Sequence, residues 1–347
     1  MRELATIFGL SASRLTSGEA AFFRDVNPWG FILFSRNVET PDQLRRLCAD
    51  IRNCVGRNAL IFIDQEGGRV RRLRPPHWPE YPSVQKLADI YEINQEDGLR
   101  ACYLHHRLMA HDLHALGITA DCAPVLDLPI KGADPIISDR ALGRDTHSII
   151  EMAHAAMAGL MKGGIAPVIK HIPGHGRAMV DSHKDLPRIE TPEMQLRTSD
   201  FLPFEALNDA PMAMTAHAVF SCVDSKRPVT TSKVALTKLI REDIGFDGLL
   251  MSDDLDMRAL HKGAMDGNLE GLTRQSLAAG CDIALQCSGQ MADMVKVAKG
   301  AKKLSGKAAE RAFIAENCSV KVKRFDAVRA RSEYEALLST PMLEAVA

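Results

Sequence analysis

Lys170-His171-Ile172-Pro173-Gly174-His175-Gly176, with Asp181-Ser182-His183 following shortly, sets a cation, three imidazoles and a carboxylate along one short stretch broken by proline and glycine. The apolar run Ile165–Ile169 before it predicts a short buried strand, and Pro173 with its glycine neighbours stops any helix. A cation and an imidazole therefore stand at a strand tip, ahead of a polar loop. Such loops are where α/β proteins keep their chemistry. Asp181 and His183, two residues apart, can lie on one side of an extended loop. His171, His175 and His183 also raise a metal-hydrolase alternative. Against it, the first strand carries Ile7-Phe8-Gly9 rather than H-x-H, and neither HExxH nor a cysteine cluster occurs. The predicted site contains no metal.

Polar groups recur after other apolar runs. Ser35-Arg36-Asn37 follow the second, Asp64-Gln65-Glu66-Gly67-Gly68-Arg69 the third, and Asp127 and Ser138-Asp139-Arg140 the fourth. His217 ends the sixth, and Ser252-Asp253-Asp254 the seventh. Charges directly after buried strands are costly unless they serve a polar site. Taken singly, each is also the kind of group that forms a solvated rim or an ion pair.

The elements that must position them read as eight strands. The runs are Ala5–Phe8, Gly30–Phe34, Leu60–Ile63, Ala120–Pro124, Pro167–Ile169, Ala213–Ala216, Gly248–Met251 and Ile283–Leu285. Continuous apolar runs of this length suit a parallel sheet buried on both faces. Helical patterns lie between them: from Thr40-Pro41 to about Arg52, Gln95 to Leu116, Ser148 to Lys162, from Thr191-Pro192, Thr231 to Arg241, and Leu269 to Ala279. A charged helical stretch runs from about Ala308 to Leu338. Alternation on this scale predicts a single (β/α)8 TIM-type barrel over residues 1–347, closed by C-terminal helices. An open, doubly wound sheet is the alternative, but no GxGxxG follows the first strand.

The balance of 43 basic and 44 acidic residues leaves a formal net charge of -1, so no bulk field favours nucleic acid or an anionic membrane. The N-terminus has no basic head before a long apolar stretch, which predicts a cytoplasmic protein that does not enter membranes. Eight scattered cysteines without a CxxC pair read as reduced core thiols. His105, His106, His111 and His114 do not converge at helical spacing and read as surface or interhelix residues. Trp29 and Trp78 are the two tryptophans that could stack on a ring; Trp29, just before a buried run, reads as packing.

The strand-end motifs taken in order resemble glycoside hydrolase family 3, and more closely its bacterial β-N-acetylglucosaminidase branch. The matching stretches are GFILFSRNV (30–38), DQEGGRV (64–70), APVLD (123–127), DRALGRD (139–145), KHIPGHG (170–176), DSH (181–183), MTAH (214–217) and MSDDLDM (251–257). One departure is Arg177-Ala178-Met179-Val180, between the PGHG and DSH pieces. The resemblance implies retaining hydrolysis of a terminal β-linked N-acetylglucosamine through a glycosyl-enzyme. Carried over, Asp253 is the nucleophile, and His183, paired with Asp181, is the acid/base. Asp254 is the competing nucleophile, disfavoured because successive strand residues point opposite ways. Asp64 would accept from sugar hydroxyls, while Arg72, Arg140, Lys170 and His171 would donate; Arg144 and His217 would stand around them. The resemblance further implies a monomer, without cofactor, that acts on N-acetylglucosaminyl-anhydromuramyl peptides in peptidoglycan recycling. A β-glucosidase or N-acetylglucosaminide phosphorylase of the same family, a metal-dependent barrel hydrolase and a non-catalytic sugar-binding barrel are the other readings.

Overall fold

Strand pairing carries the chain round a closed circuit. In the computed structural model, which describes residues 2–261, 268–318, 322 and 324–339, the barrel strands are β1 (Leu4–Gly9), β2 (Pro28–Leu33), β3 (Leu60–Ile63), β4 (Ala120–Asp121), β5 (Ala166–Ile172), β6 (Met212–Thr215), β7 (Leu249–Asp254) and β8 (Ile283–Gln286), with Arg188–Ile189 and Val219–Phe220 pairing apart from them. Each barrel strand pairs in parallel with its sequence neighbour, and β8 returns to β1 with Ile7 opposite Leu285. The predicted eight-stranded barrel is what forms. Every residue of β1, β2, β3 and β5 is buried, which is why these strands read as unbroken apolar runs rather than alternating ones.

The strands of the site run further than their apolar runs. β5 continues through Lys170, His171 and Ile172, and β7 through Asp253 and Asp254. In both the ladder register shifts beside the polar residues, between Lys170 and Ile172 and opposite Ile283–Leu285. Such irregularities re-aim side chains. Lys170 and His171 both line one cleft, and so do Asp253 and Asp254. Asp254 thus lies at the cleft beside Asp253, with its Oδ1 turned to the Asp256 and Cys287 N–H groups.

The helices begin where side chains can cap them. Thr16 caps α1 (Ser17–Val26) in a capping box with Glu19, Thr40 caps α2 (Pro41–Val55), and Asp145 later caps α5 (Thr146–Lys162). Between β3 and β4 lie α3 (Val84–Ile93), which the sequence reading missed, and α4 (Gln95–His114). Short α6 (Glu193–Arg197) and α7 (Leu202–Ala206) follow β5. A π-helical segment, Ala235–Asp243, stands where a regular helix over 231–241 was expected. Then come α8 (Leu269–Ala279), α9 (Met291–Gly300), α10 (Gly306–Asn317) and α11 (Ala327–Leu338). α10 and α11 divide the stretch read as helical over 308–338. No described helix is long and apolar enough to cross a membrane. All eight cysteines are free, but Cys222 is exposed rather than in the core.

Candidate active site

β3 delivers its polar groups as it leaves the barrel. The Gln65 N–H donates to Asp121 Oδ1 at 2.9 Å, and Gln65 Oε1 accepts from the Arg72 and Leu73 N–H groups, pinning the loop. Gly67, at φ 93°, makes the turn; a Cβ there would lie 2.5 Å from the Pro82 carbonyl oxygen. On either side of Gln65 stand Asp64 and Glu66. Lys170 Nζ bridges them, 3.1 Å from Asp64 Oδ1 and 2.7 Å from Glu66 Oε1. Arg72 Nη2 meets Asp64 Oδ2 at 2.9 Å. Arg140 forks onto Glu66 through Nε and Nη2, both at 2.8 Å. Burial would raise the Glu66 carboxyl, but Arg140 and then Lys170 outweigh it and hold the group far below the usual range. Burial would lower the Lys170 ammonium, but Glu66 and Asp64 hold it above its ordinary value.

A second knot lies under His171. Asp127, fully buried, accepts from His171 Nδ1 at 2.6 Å and from the His175 N–H at 2.7 Å. An ionised carboxylate only accepts, so His171 carries a proton on Nδ1. His175 is buried in the wall of the same cleft, with neither ring nitrogen bonded. Burial pushes its imidazole down to about 4 and keeps it neutral.

The two aspartates of β7 differ in environment. Burial would raise Asp253; the facing His217 and His171 imidazoles and the Asp254 N–H, 2.7 Å from Asp253 Oδ1, hold it below the usual carboxylate value instead. Asp254 Oδ1 accepts from the N–H groups of Cys287 at 3.0 Å and Asp256 at 3.2 Å, yet burial pushes its carboxyl up to about 7, with the Asp253 charge adding to the rise. His217 is buried and donates from Nε2 to the Asp254 carbonyl at 2.9 Å, with Nδ1 facing the Thr230 hydroxyl at 2.7 Å. It orients the end of β7.

Across the cleft, Asp181 Oδ1 accepts from both the N–H and the Nδ1 of His183, each at 2.8 Å. The Asp181 side chain is nearly buried, while that of His183 is 64% exposed. An anchored carboxylate thus holds a largely exposed imidazole by its Nδ1.

The cleft brings together Asp64, Arg72, Arg140, Lys170, His171, His183 and Asp253, with Asp181 behind His183. Arg144 is not part of it; its side chain is 63% exposed and pairs with Asp89. Neither tryptophan lines it; Trp29 packs on Phe62, and Phe34 is the cleft's aromatic wall. Glu66 and Asp127 were legible as strand-end acids but received no role, and His175 was read as loop shaping. Their signal was position beside a cation or imidazole at a strand tip. Among the described residues, no group of three or more His, Cys, Asp or Glu is arranged to hold a metal ion.

Comparison with known proteins identifies the family. The profile of the glycosyl hydrolase family 3 N-terminal domain matches residues 11–318. A beta-hexosaminidase of Alkalilimnicola ehrlichii is 37% identical over 287 residues, covering 81% of this chain and 80% of that protein. One from Neisseria meningitidis serogroup B is 37% identical over 286 residues, covering 80% and 76%. The crystal structure of NagZ from Neisseria gonorrhoeae in complex with N-trifluoroacetyl-D-glucosamine superposes with a TM-score of 0.87 at 30% identity, over 98% of this chain and 99% of that one. The barrel, the motifs at its strand tips and these similarities together make the chain a member of glycosyl hydrolase family 3.

Proposed function

We propose that this chain is a retaining β-N-acetylhexosaminidase that removes terminal N-acetylglucosamine, with Asp253 as nucleophile and His183 as acid/base. The observation that carries the reading is a half-buried carboxylate, held below the usual carboxylate value, in one cleft with a histidine anchored by Asp181. Asp253 attacks the anomeric carbon as the glycosidic bond breaks, and the bond's electron pair leaves on the aglycone oxygen. His183, protonated at both nitrogens, gives that oxygen its Nε2 proton. The now neutral imidazole takes a proton from water, whose oxygen displaces Asp253 and releases the sugar with its configuration retained. Asp181 holds Nδ1–H throughout and stabilises the imidazolium that exists before the first transfer and after the second.

The sugar is gripped by groups already ionised and already paired, so binding needs little reorganisation. Asp64 accepts from hydroxyls; Arg72, Arg140 and Lys170 donate. His171, with its proton on Nδ1, offers Nε2 as an acceptor when neutral and as a donor when charged. The named relatives support hexosaminide rather than glucoside as substrate. We place the natural substrate among N-acetylglucosaminyl-anhydromuramyl peptides of peptidoglycan recycling, and the enzyme in the cytoplasm as a monomer, on the family resemblance.

The test is hydrolysis of 4-nitrophenyl N-acetyl-β-glucosaminide beside the matching β-glucoside, with and without chelator. Strong preference for the N-acetyl substrate, unaffected by chelator, is expected. No turnover of either, or turnover abolished by chelator, overturns the reading.

A further inference from the structure

α11 lies outside the barrel, yet it reaches the loop that carries Asp64 and Glu66. His105 of α4 is fully buried between helices, the interhelix one of its two expected placements. Its Nε2 faces the Glu66 carbonyl oxygen at 3.3 Å, and its Nδ1 faces the Tyr334 hydroxyl of α11 at 2.6 Å. A carbonyl can only accept, so Nε2 carries the proton and Nδ1 accepts from the tyrosine. Burial lowers the imidazole well below its ordinary value and keeps it in this neutral form. The chain of donors therefore runs one way, from Tyr334 through His105 to the Glu66 backbone.

The surroundings leave the loop little freedom. The Gly67 backbone passes so close that a Cβ there would lie 2.9 Å from His105 Nε2. The Gly68 N–H donates to the Tyr81 carbonyl at 2.9 Å. Tyr81 stacks edge-on against His105, and its hydroxyl donates to Asp112 of α4 at 2.7 Å. Arg331 of α11 donates to that same hydroxyl at 3.0 Å. Two α11 residues thus hold two α4 residues and both ends of the turn. Facing the cleft, the Glu66 carboxylate has no oxygen to spare, since Arg140 and Lys170 occupy both. Wherever the Glu66 backbone stands, those two cations follow.

We propose that α11 is a brace for the sugar site, with Tyr334 and His105 as positioning residues that set Arg140 and Lys170 through Glu66. The proposal rests on the reading of the cleft as a sugar site. It is tested in the full-length protein with Tyr334→Phe, which removes the hydroxyl and keeps the ring. Glu333→Ala is the control, because it breaks only the exposed Arg100–Glu333 pair of the same helix. Amide exchange over residues 64–73 needs no substrate: Y334F is expected to exchange faster there, and E333A to match wild type. With the nitrophenyl N-acetylglucosaminide, Y334F is expected to raise KM roughly three- to tenfold with kcat nearly unchanged, the pattern of lost ground-state and transition-state binding together. His105→Gln, whose amide still donates to the Glu66 carbonyl, is expected to keep KM nearer wild type than His105→Leu. Unchanged exchange in Y334F, or equal KM for the Gln and Leu variants, overturns the brace. A wild-type protein that fails to hydrolyse the substrate overturns the sugar reading instead, and the exchange comparison still decides the brace.

Discussion

Two adjacent aspartates on one strand face one cleft, and their environments push their proton affinities apart. Divergent environments of this kind assign roles to paired carboxylates. Asp253, held ionised, suits a nucleophile. Asp254, pushed up to about 7 and spending one oxygen on two backbone N–H groups, suits a structural acceptor. Asp253→Asn is expected to lower kcat by roughly a thousandfold or more, while Asp254→Asn keeps activity within about tenfold. Equal losses would break the assignment. The same upshift has a stability consequence. A carboxyl whose folded pKa is raised contributes stability that is complete below its unfolded pKa and is lost as pH rises toward the folded one. The wild type should therefore lose stability between the ordinary aspartate value and about 7 and then level off. Asp254→Asn lacks this loss, so its Tm advantage should grow across that window. The gap is on the order of 1–2 kcal/mol, because the cleft edge stays hydrated. Thermal melts of both proteins from pH 4 to 8 measure it.

At the scale of elements, strand tips and loops meet through internal charge pairs. The loop after β3, the tip of β5 and Arg140 from the loop after β4 share Glu66. Removing one partner of such a buried set leaves the others uncompensated, at about 3–5 kcal/mol. Glu66→Gln should destabilise by that order and raise KM through misplaced Arg140 and Lys170. Its pH sign is opposite to that of Asp254. A lowered carboxyl contributes stability above its unfolded pKa and loses it as pH falls toward the folded one. The wild type should shed this contribution below the ordinary glutamate range, and the Gln variant should show a shallower acid slope in urea midpoints against pH. These elements also mark what sequence could reveal. Thr40-Pro41, the glycines after Lys162 and the eight apolar runs announced their elements because capping and burial are local signals. Lys170, His171, Asp181, His183 and Asp253 were found because their types stood at strand ends. The bulged tips of β5 and β7, the role of Glu66 and the contact of His105 with the Glu66 carbonyl were not legible. Each depends on a partner tens to hundreds of residues away, and periodicity carries no such information. For the same reason Arg144, inside a matching motif, was drawn toward a site it does not join.

For the whole molecule, the charges of the cleft are arranged to cancel locally. Asp64 and Glu66 face Lys170, Arg72 and Arg140, leaving one positive charge that Asp253 offsets. The chain as a whole carries a formal net charge of -1. Neither the net charge of these groups nor that of the chain therefore supplies a field to steer a distant ligand. The pairs that shape the pocket are largely sequestered from solvent, where salt screens little; exposed pairs such as Arg45–Asp42 are the ones that salt weakens. An uncharged N-acetylglucosaminide should then be hydrolysed with nearly the same kcat/KM at low and high ionic strength. A series in sodium chloride from about 0.02 to 0.5 M, spanning Debye lengths from roughly 20 Å to below 5 Å, checks it. A change within about twofold is expected. A steep fall would mean that the Arg140, Lys170 and Arg72 cluster is open to counterions, and that affinity depends on exposed charge rather than on hydrogen bonds already oriented. The same series with a carboxylate-bearing aglycone separates the two halves of the substrate. Salt dependence confined to that compound would place its charge against the outer rim, where Arg69 and Lys184 remain in contact with water.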